Sequence, residues 1–263
     1  MSDIYGGIEG GGTKFVCLVG TNPQEIIQEV RFETTVPEQT IQKAVAFFEP
    51  YARDGRLAAV GMASFGPVDL DPSSPTYGYI TTTPKPGWAH TDMISGLREA
   101  LGVPIAFELD VSAAAYGEFT WNVENHLLDP LVYFTIGTGI GAGEVVNGRL
   151  VHGLVHPEAG HMRLPHDWQA DPFAGFCPYH GDCFEGLASG PAMQARWGQR
   201  AETLPPEHPG WELEATYIAL ALNNVICNLS PRRIILGGGV MQHAALFPLI
   251  REKVKGYLNR YIQ

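Results

Sequence analysis

Four side chains able to hold a soft or borderline metal fall within one loop-forming stretch, His156–Pro191. His161 is followed by Cys177, His180 and Cys183, the last three at successive steps of three. Two imidazoles and two thiols are enough for a closed tetrahedral zinc site. A disulfide between Cys177 and Cys183, or surface histidines without a role, would account for the same residues. The chain holds 4 cysteines. The other two, Cys17 and Cys227, stand alone in apolar runs and read as small buried hydrophobes. A closed site has no open position for a water-activating hydrolase, so the neighbouring carboxylates Glu158 and Glu185 become the groups of interest.

Three glycine-rich turns form a second set. Gly10-Gly11-Gly12 is flanked by apolar and β-branched residues on both sides, with Thr13 and Lys14 at the tip. The chain leaves this turn as a strand, unlike a Walker loop or a dinucleotide fingerprint, whose glycines lead into a helix. Glycines let backbone N–H groups crowd towards an anion, so a phosphate nest is the functional reading and a tight hairpin the plain one. Residues 131–146 repeat the plan around Gly137-Thr138-Gly139-Ile140-Gly141, and two such turns are harder to ascribe to chance. The third, Gly237-Gly238-Gly239, ends a strand expected to be buried and allows close approach of a base or ribose. Asp110 stands where a strand hands over to a helix. It can serve as a general base at the carboxyl end of a sheet or as a helix N-cap.

These groups need a mixed α/β scaffold. The periodicity predicts a helix over 37–49 stopped by Pro50, a strand over 57–66, and a long Pro- and Thr-rich loop over 67–88. A helix over 91–101 and a strand up to Asp110 follow. Further helices are expected over 111–121, 212–229 and 243–261. At 263 residues, 45% hydrophobic and 17% charged, the chain can bury one large core or two medium ones. No run approaches the roughly 20 apolar residues of a membrane span, and the N-terminus lacks the pattern of a signal peptide, so a cytoplasmic protein with no membrane partner is expected. A net charge of -11 without a Lys/Arg cluster argues against nucleic acid.

In sequence, these motifs resemble the ROK family of sugar kinases, more narrowly its bacterial fructokinases, over nearly the whole chain. The family's first phosphate hairpin is matched by Glu9-Gly-Gly-Gly-Thr-Lys14, its second by Gly137–Gly141, and its adenosine-side turn by Gly237–Gly239. Its Glu-x-Gly-His is matched by Glu158–His161 and its Cys-x-Glu by Cys183–Glu185. The resemblance implies a two-lobed actin-like ATPase fold around a cleft, with residues 1–115 in one lobe and 116–263 in the other, the latter carrying the zinc segment 156–191. It implies ATP and Mg2+ held by Gly11, Gly12, Thr13, Lys14, Gly137, Thr138, Gly139 and Gly237–Gly239. Glu158, His161 and Glu185 would orient the sugar, with Zn2+ on His161, Cys177, His180 and Cys183, and Asp110 as base. A homodimer is also implied.

The chain departs from the family pattern in three places. The usual zinc run becomes Cys177-x-x-His180-x-x-Cys183, similar to fructokinases. The asparagine before the base becomes Leu109, which removes a hydrogen-bonding group for a pyranose and points from glucose towards fructose. The family usually continues past the last helix, whereas this chain stops at Gln263, so a shortened tail is expected. Non-catalytic ROK sugar sensors would carry an N-terminal helix-turn-helix, and the sequence opens directly on the first hairpin.

Overall fold

The apolar residues flanking Gly10–Gly12 pair with each other. In the computed structural model, which describes residues 3–122, 124 and 127–262, strands β1 (Ile4–Gly10) and β2 (Lys14–Asn22) run antiparallel, with Gly10 opposite Phe15. Strand β3 (Glu25–Glu33) adds to the outside of β2. On the other side β1 pairs in parallel with β4 (Leu57–Ser64), and β4 with β7 (Ile105–Leu109), giving the order β3-β2-β1-β4-β7. The register places Gly10 beside Ser64 and Ser64 beside Leu109, so β1, β4 and β7 end together at their carboxyl ends.

Helices α1 (Pro37–Arg53) and α2 (Ser95–Leu101) accompany this sheet, and the two-residue strands β5 (Tyr79–Ile80) and β6 (Thr91–Asp92) pair within the long loop region. Two expected helix limits are corrected here. Pro50 lies inside α1, because in the last turn its missing amide costs one hydrogen bond while Phe47 keeps ring contacts with Phe48 and Tyr51. The second helix starts at Ser95, not residue 91, since Asp92 Oδ1 accepts from the amides of Ile94 and Ser95 and so serves as a start signal.

By its contacts the chain divides into two units, one made of the residues through Ala113 with His152–His156, the other of Ala114–Val151 and the chain from Pro157 on. The boundary falls inside α3 (Asp110–Trp121). His152 and His156 are held within the first unit, His152 Nε2 3.0 Å from Glu108 Oε2 and His156 Nε2 accepting from the Val68 amide at 3.3 Å.

The second unit repeats the hairpin. Strand β8 (Leu131–Ile136) turns into β9 (Ile140–Val146), β10 (Arg149–Leu150) pairs with β9, and β11 (Arg233–Gly237) runs parallel to β8. Helices α4 (Phe184–Ala188), α5 (Gly190–Trp197), α6 (Gly210–Leu229) and α7 (Leu246–Leu258) complete the unit. Trp211, Ala215, Ile218 and Leu222 form the apolar stripe of α6, and they share a core with Val132, Phe134 and Ile136 of β8. Three expectations are corrected. Strand β11 is half-buried along its length, as suits an edge of the sheet order β10-β9-β8-β11. The last helix begins at Leu246, after a 3-10 turn at Val240–Gln242. Cys227 is exposed, because it lies off the stripe of α6 that packs on the sheet.

Candidate functional site

Asp110 is the first residue of α3 and sits one position beyond the end of β7. Its Oδ1 accepts from the next amide, Val111, at 2.7 Å, whereas an N-cap side chain serves amides two or three residues on. Burial pushes its carboxyl up to about 6, opposed by the Val111 amide and reinforced by the negative charge of Glu9. Glu9 lies just before the first glycine turn, so base and turn occupy one end of the sheet. Folding favours the protonated form of such a group. Its stability contribution is therefore complete below the ordinary aspartate range and is lost as pH rises through about 6.

The first turn engages the carbonyls of Gly11 and Thr13 and leaves two of its amides spare. The Gly11 amide donates to Lys14 O at 2.9 Å, Thr34 Oγ1 donates to Gly11 O at 2.7 Å, and the Thr34 amide donates to Thr13 O at 3.0 Å. The amides of Gly12 and Thr13 make no hydrogen bond among the described residues. Donors without acceptors at an exposed turn suit an anion. Leu109, two strands away, is 7% exposed and packs against Gly66, where a Cβ would stand 2.7 Å from Leu109 Cδ1.

In the second unit the glycine motifs converge on the β8–β9 turn. The Gly190 amide donates to Gly137 O at 2.7 Å, and Gly137 donates to Gly139 O at 2.9 Å. Gly238, at φ +93°, lies against the backbone of Ile136, where a Cβ would come within 2.4 Å of the carbonyl oxygen. Gly160 lies against Ile140, where a Cβ would fall 1.8 Å from the carbonyl oxygen. Gly160→Ala is therefore expected to push the His161 segment off the hairpin and to lower stability by about 1–3 kcal/mol, read by denaturant unfolding. Glu185 reaches the same turn, with Oε2 accepting from the Ile140 amide at 3.0 Å. No spacing in the sequence reveals that contact.

The four metal-binding candidates come together, with their ligand atoms all within 4.8 Å of one another. Cys177 Sγ lies 3.8 Å from His161 Nδ1 and 3.6 Å from His180 Nδ1, and Cys183 Sγ lies 3.5 Å from His161 Nδ1. With bonds of roughly 2.0–2.3 Å, the edges of a tetrahedral zinc site are about 3.3–3.8 Å. The donor set and the spacing both fit that metal. All four cysteines are free in this structure. Burial pushes the Cys183 thiol up to about 11, with Cys177 beside it adding to the rise. Burial also lowers the pKa of His161, favouring the neutral form that binds metals. Glu158 is exposed, its Oε2 4.0 Å from His161 Nε2.

A buried polar network that the sequence reading missed braces this loop. Asp182, between two of the metal candidates, accepts from Arg163 and lies 3.2 Å from His166 Nδ1. His166 Nε2 is 2.9 Å from Asp171 O, and the Asp171 carboxylate meets Arg196 at 3.1 Å and the Tyr217 hydroxyl at 2.6 Å. Arg196 belongs to α5 and Tyr217 to α6, so the network ties the loop to the helical core.

Comparison with known proteins adds ancestry to this geometry. The model of the ROK family matches residues 5–263. A fructokinase of Lactococcus lactis subsp. cremoris is 45% identical over 262 residues, covering 100% of this chain and 88% of that protein. A fructokinase of Streptococcus mutans is 45% identical over 264 residues, with the same two coverages of 100% and 88%. Among solved structures, the ROK hexokinase from Thermus thermophilus matches with a TM-score of 0.79 at 25% identity, over 97% of this chain and 89% of that one.

Proposed function

The chain belongs to the ROK family, and from that premise we propose that it is an ATP-dependent hexose kinase that converts D-fructose to fructose 6-phosphate. The observation that carries this reading is the 45% identity to fructokinases across the whole chain. Asp110 supports it: an aspartate with its pKa lifted to about 6 is ionised at neutral pH yet basic enough to take a proton.

In this reading Asp110 accepts the proton of the sugar 6-hydroxyl as the hydroxyl oxygen bonds to the terminal phosphorus of ATP, and ADP leaves with the electron pair of the broken bond to its bridging oxygen. Phosphoryl transfer is mostly positioning and charge neutralisation. The amides of Gly12 and Thr13, with Gly11 and Lys14, hold phosphate oxygens. Gly137, Thr138 and Gly139 form the second cradle, and Gly237, Gly238 and Gly239 admit the adenosine. Mg2+ supplies further neutralisation of the phosphate charge when bound. Glu158, His161 and Glu185 orient the sugar, Glu185 being fixed by the Ile140 amide. His161, Cys177, His180 and Cys183 would hold Zn2+, which would stiffen the loop that carries them. The lobes proposed for these roles are residues 1–115 and 116–263.

The same reading places the protein in the cytoplasm, where ATP is at hand and thiols stay reduced. No helix among the described residues is long and apolar enough to cross a membrane. A homodimer belongs to the proposal, with Phe176 and Tyr179, the chain neighbours of Cys177 and His180, exposed as apolar surface for it. Product identification tests the chemistry. Phosphorus NMR of the reaction with fructose, ATP and magnesium is expected to show a phosphate coupled to the C6 protons. Phosphate on C1 would overturn the assignment.

A further inference from the structure

The loop Thr83–Trp88 carries a lysine to the first glycine turn. The side-chain stem of Lys85 lies over Gly12: its Cδ, 3.9 Å from where a Gly12 Cβ would stand, is the one heavy atom recorded near that position. The ammonium is two bonds beyond that carbon. Lys85 is half-buried and takes part in no ion pair among the described residues. A lysine beside the spare amides of the turn and without an ion-pair partner suits an incoming anion.

The backbone that presents it is fixed. Prolines 84 and 86 flank Lys85, its amide donates to Thr83 Oγ1 at 3.3 Å, and its carbonyl accepts from the Trp88 amide at 3.3 Å. Trp88 is wholly buried against Phe15 and Phe65, and its Nε1 donates to Thr35 O at 2.9 Å. Thr34, one residue earlier, holds the carbonyls of the glycine turn. One two-residue segment thus staples both the turn with its spare amides and the loop with its spare cation.

We propose that Lys85 binds the terminal phosphoryl group of the nucleotide at the Gly11–Thr13 turn and stabilises its charge during transfer, an inference that rests on the kinase reading. Position selects the terminal group. Gly10, Ser64 and Leu109 are in register at the carboxyl ends of three parallel strands, so the turn lies about 10 Å across the sheet from the residue before Asp110. The phosphoryl group that moves must lie close to the base, at the carboxyl end of the sheet, where the Gly12 turn and the Lys85 stem over it also lie.

Lys85→Met keeps the stem and removes the charge. It is expected to lower kcat by about a hundredfold, as loss of one donor to transition-state charge does elsewhere, with Lys85→Arg recovering a good part of it. Titration calorimetry supplies a readout that a structural role would not move. Lys85→Met should bind a non-hydrolysable ATP analogue at least tenfold more weakly than wild type, while ADP affinity changes by less than about twofold and Tm is unchanged. Equal kcat and equal analogue affinity in Lys85→Met would overturn the inference. An effect confined to the KM for fructose would also overturn it, by assigning Lys85 to the sugar. Wild-type protein that binds no nucleotide and turns over no hexose would remove the kinase reading itself, and this inference with it.

Discussion

Asp110→Asn is expected to lower kcat by about a hundredfold or more while nucleotide binding persists. The substitution keeps the shape of the side chain and removes only the proton acceptor, and a hundredfold corresponds to about 2.7 kcal/mol of barrier. The pH dependence should follow the same group. The base must be ionised, so kcat/KM for the wild type should fall as pH drops through about 6, and the residual activity of Asp110→Asn should lack that limb. Burial of the carboxylate opposes folding above that pH, so Asp110→Asn should melt no lower than wild type at pH 8. Steady-state kinetics from pH 5 to 8, with melting curves on the same preparations, check all three. An active Asp110→Asn enzyme would leave this residue as no more than the start of α3.

The second large effect is expected from the metal. Elemental analysis should find one zinc per chain, and removal by a strong chelator should lower Tm by about 10 °C or more. The cluster closes a loop that the Asp182–His166–Asp171–Arg196 network also braces, and a loss of several kcal/mol in a chain of this size translates into such a shift. Cys183→Ala should reproduce the shift without chelator. Substoichiometric zinc with unchanged melting would reduce the cluster to a coincidence of free thiols and imidazoles.

The parts of the molecule legible in sequence are those in which residue type alone dictates geometry. Glycine runs between β-branched stretches could hardly form anything but tight hairpins, and both were found where the glycines stand. The Cys177, His180 and Cys183 spacing brought soft ligands into one loop, and the fold supplied His161 to complete them. What escaped depends on distant partners. Strand β3 is mostly exposed and shows no alternation of buried residues to betray it. Glu185 could be read as a functional acid, but its bond to Ile140 spans 45 positions and leaves no local trace. Leu109 packs on Gly66, a contact that only the sheet register creates. Lys85 stood in the open in a proline-rich loop, but nothing before folding says that Gly12 lies beneath it.

The central claim is a sugar kinase that prefers fructose, and the most direct measurement is kcat/KM for fructose, mannose and glucose on one preparation, by coupled ADP release with saturating ATP and magnesium. The chain is expected to turn over fructose at least tenfold more efficiently than glucose. A glucose value equal to or above that for fructose would contradict the account.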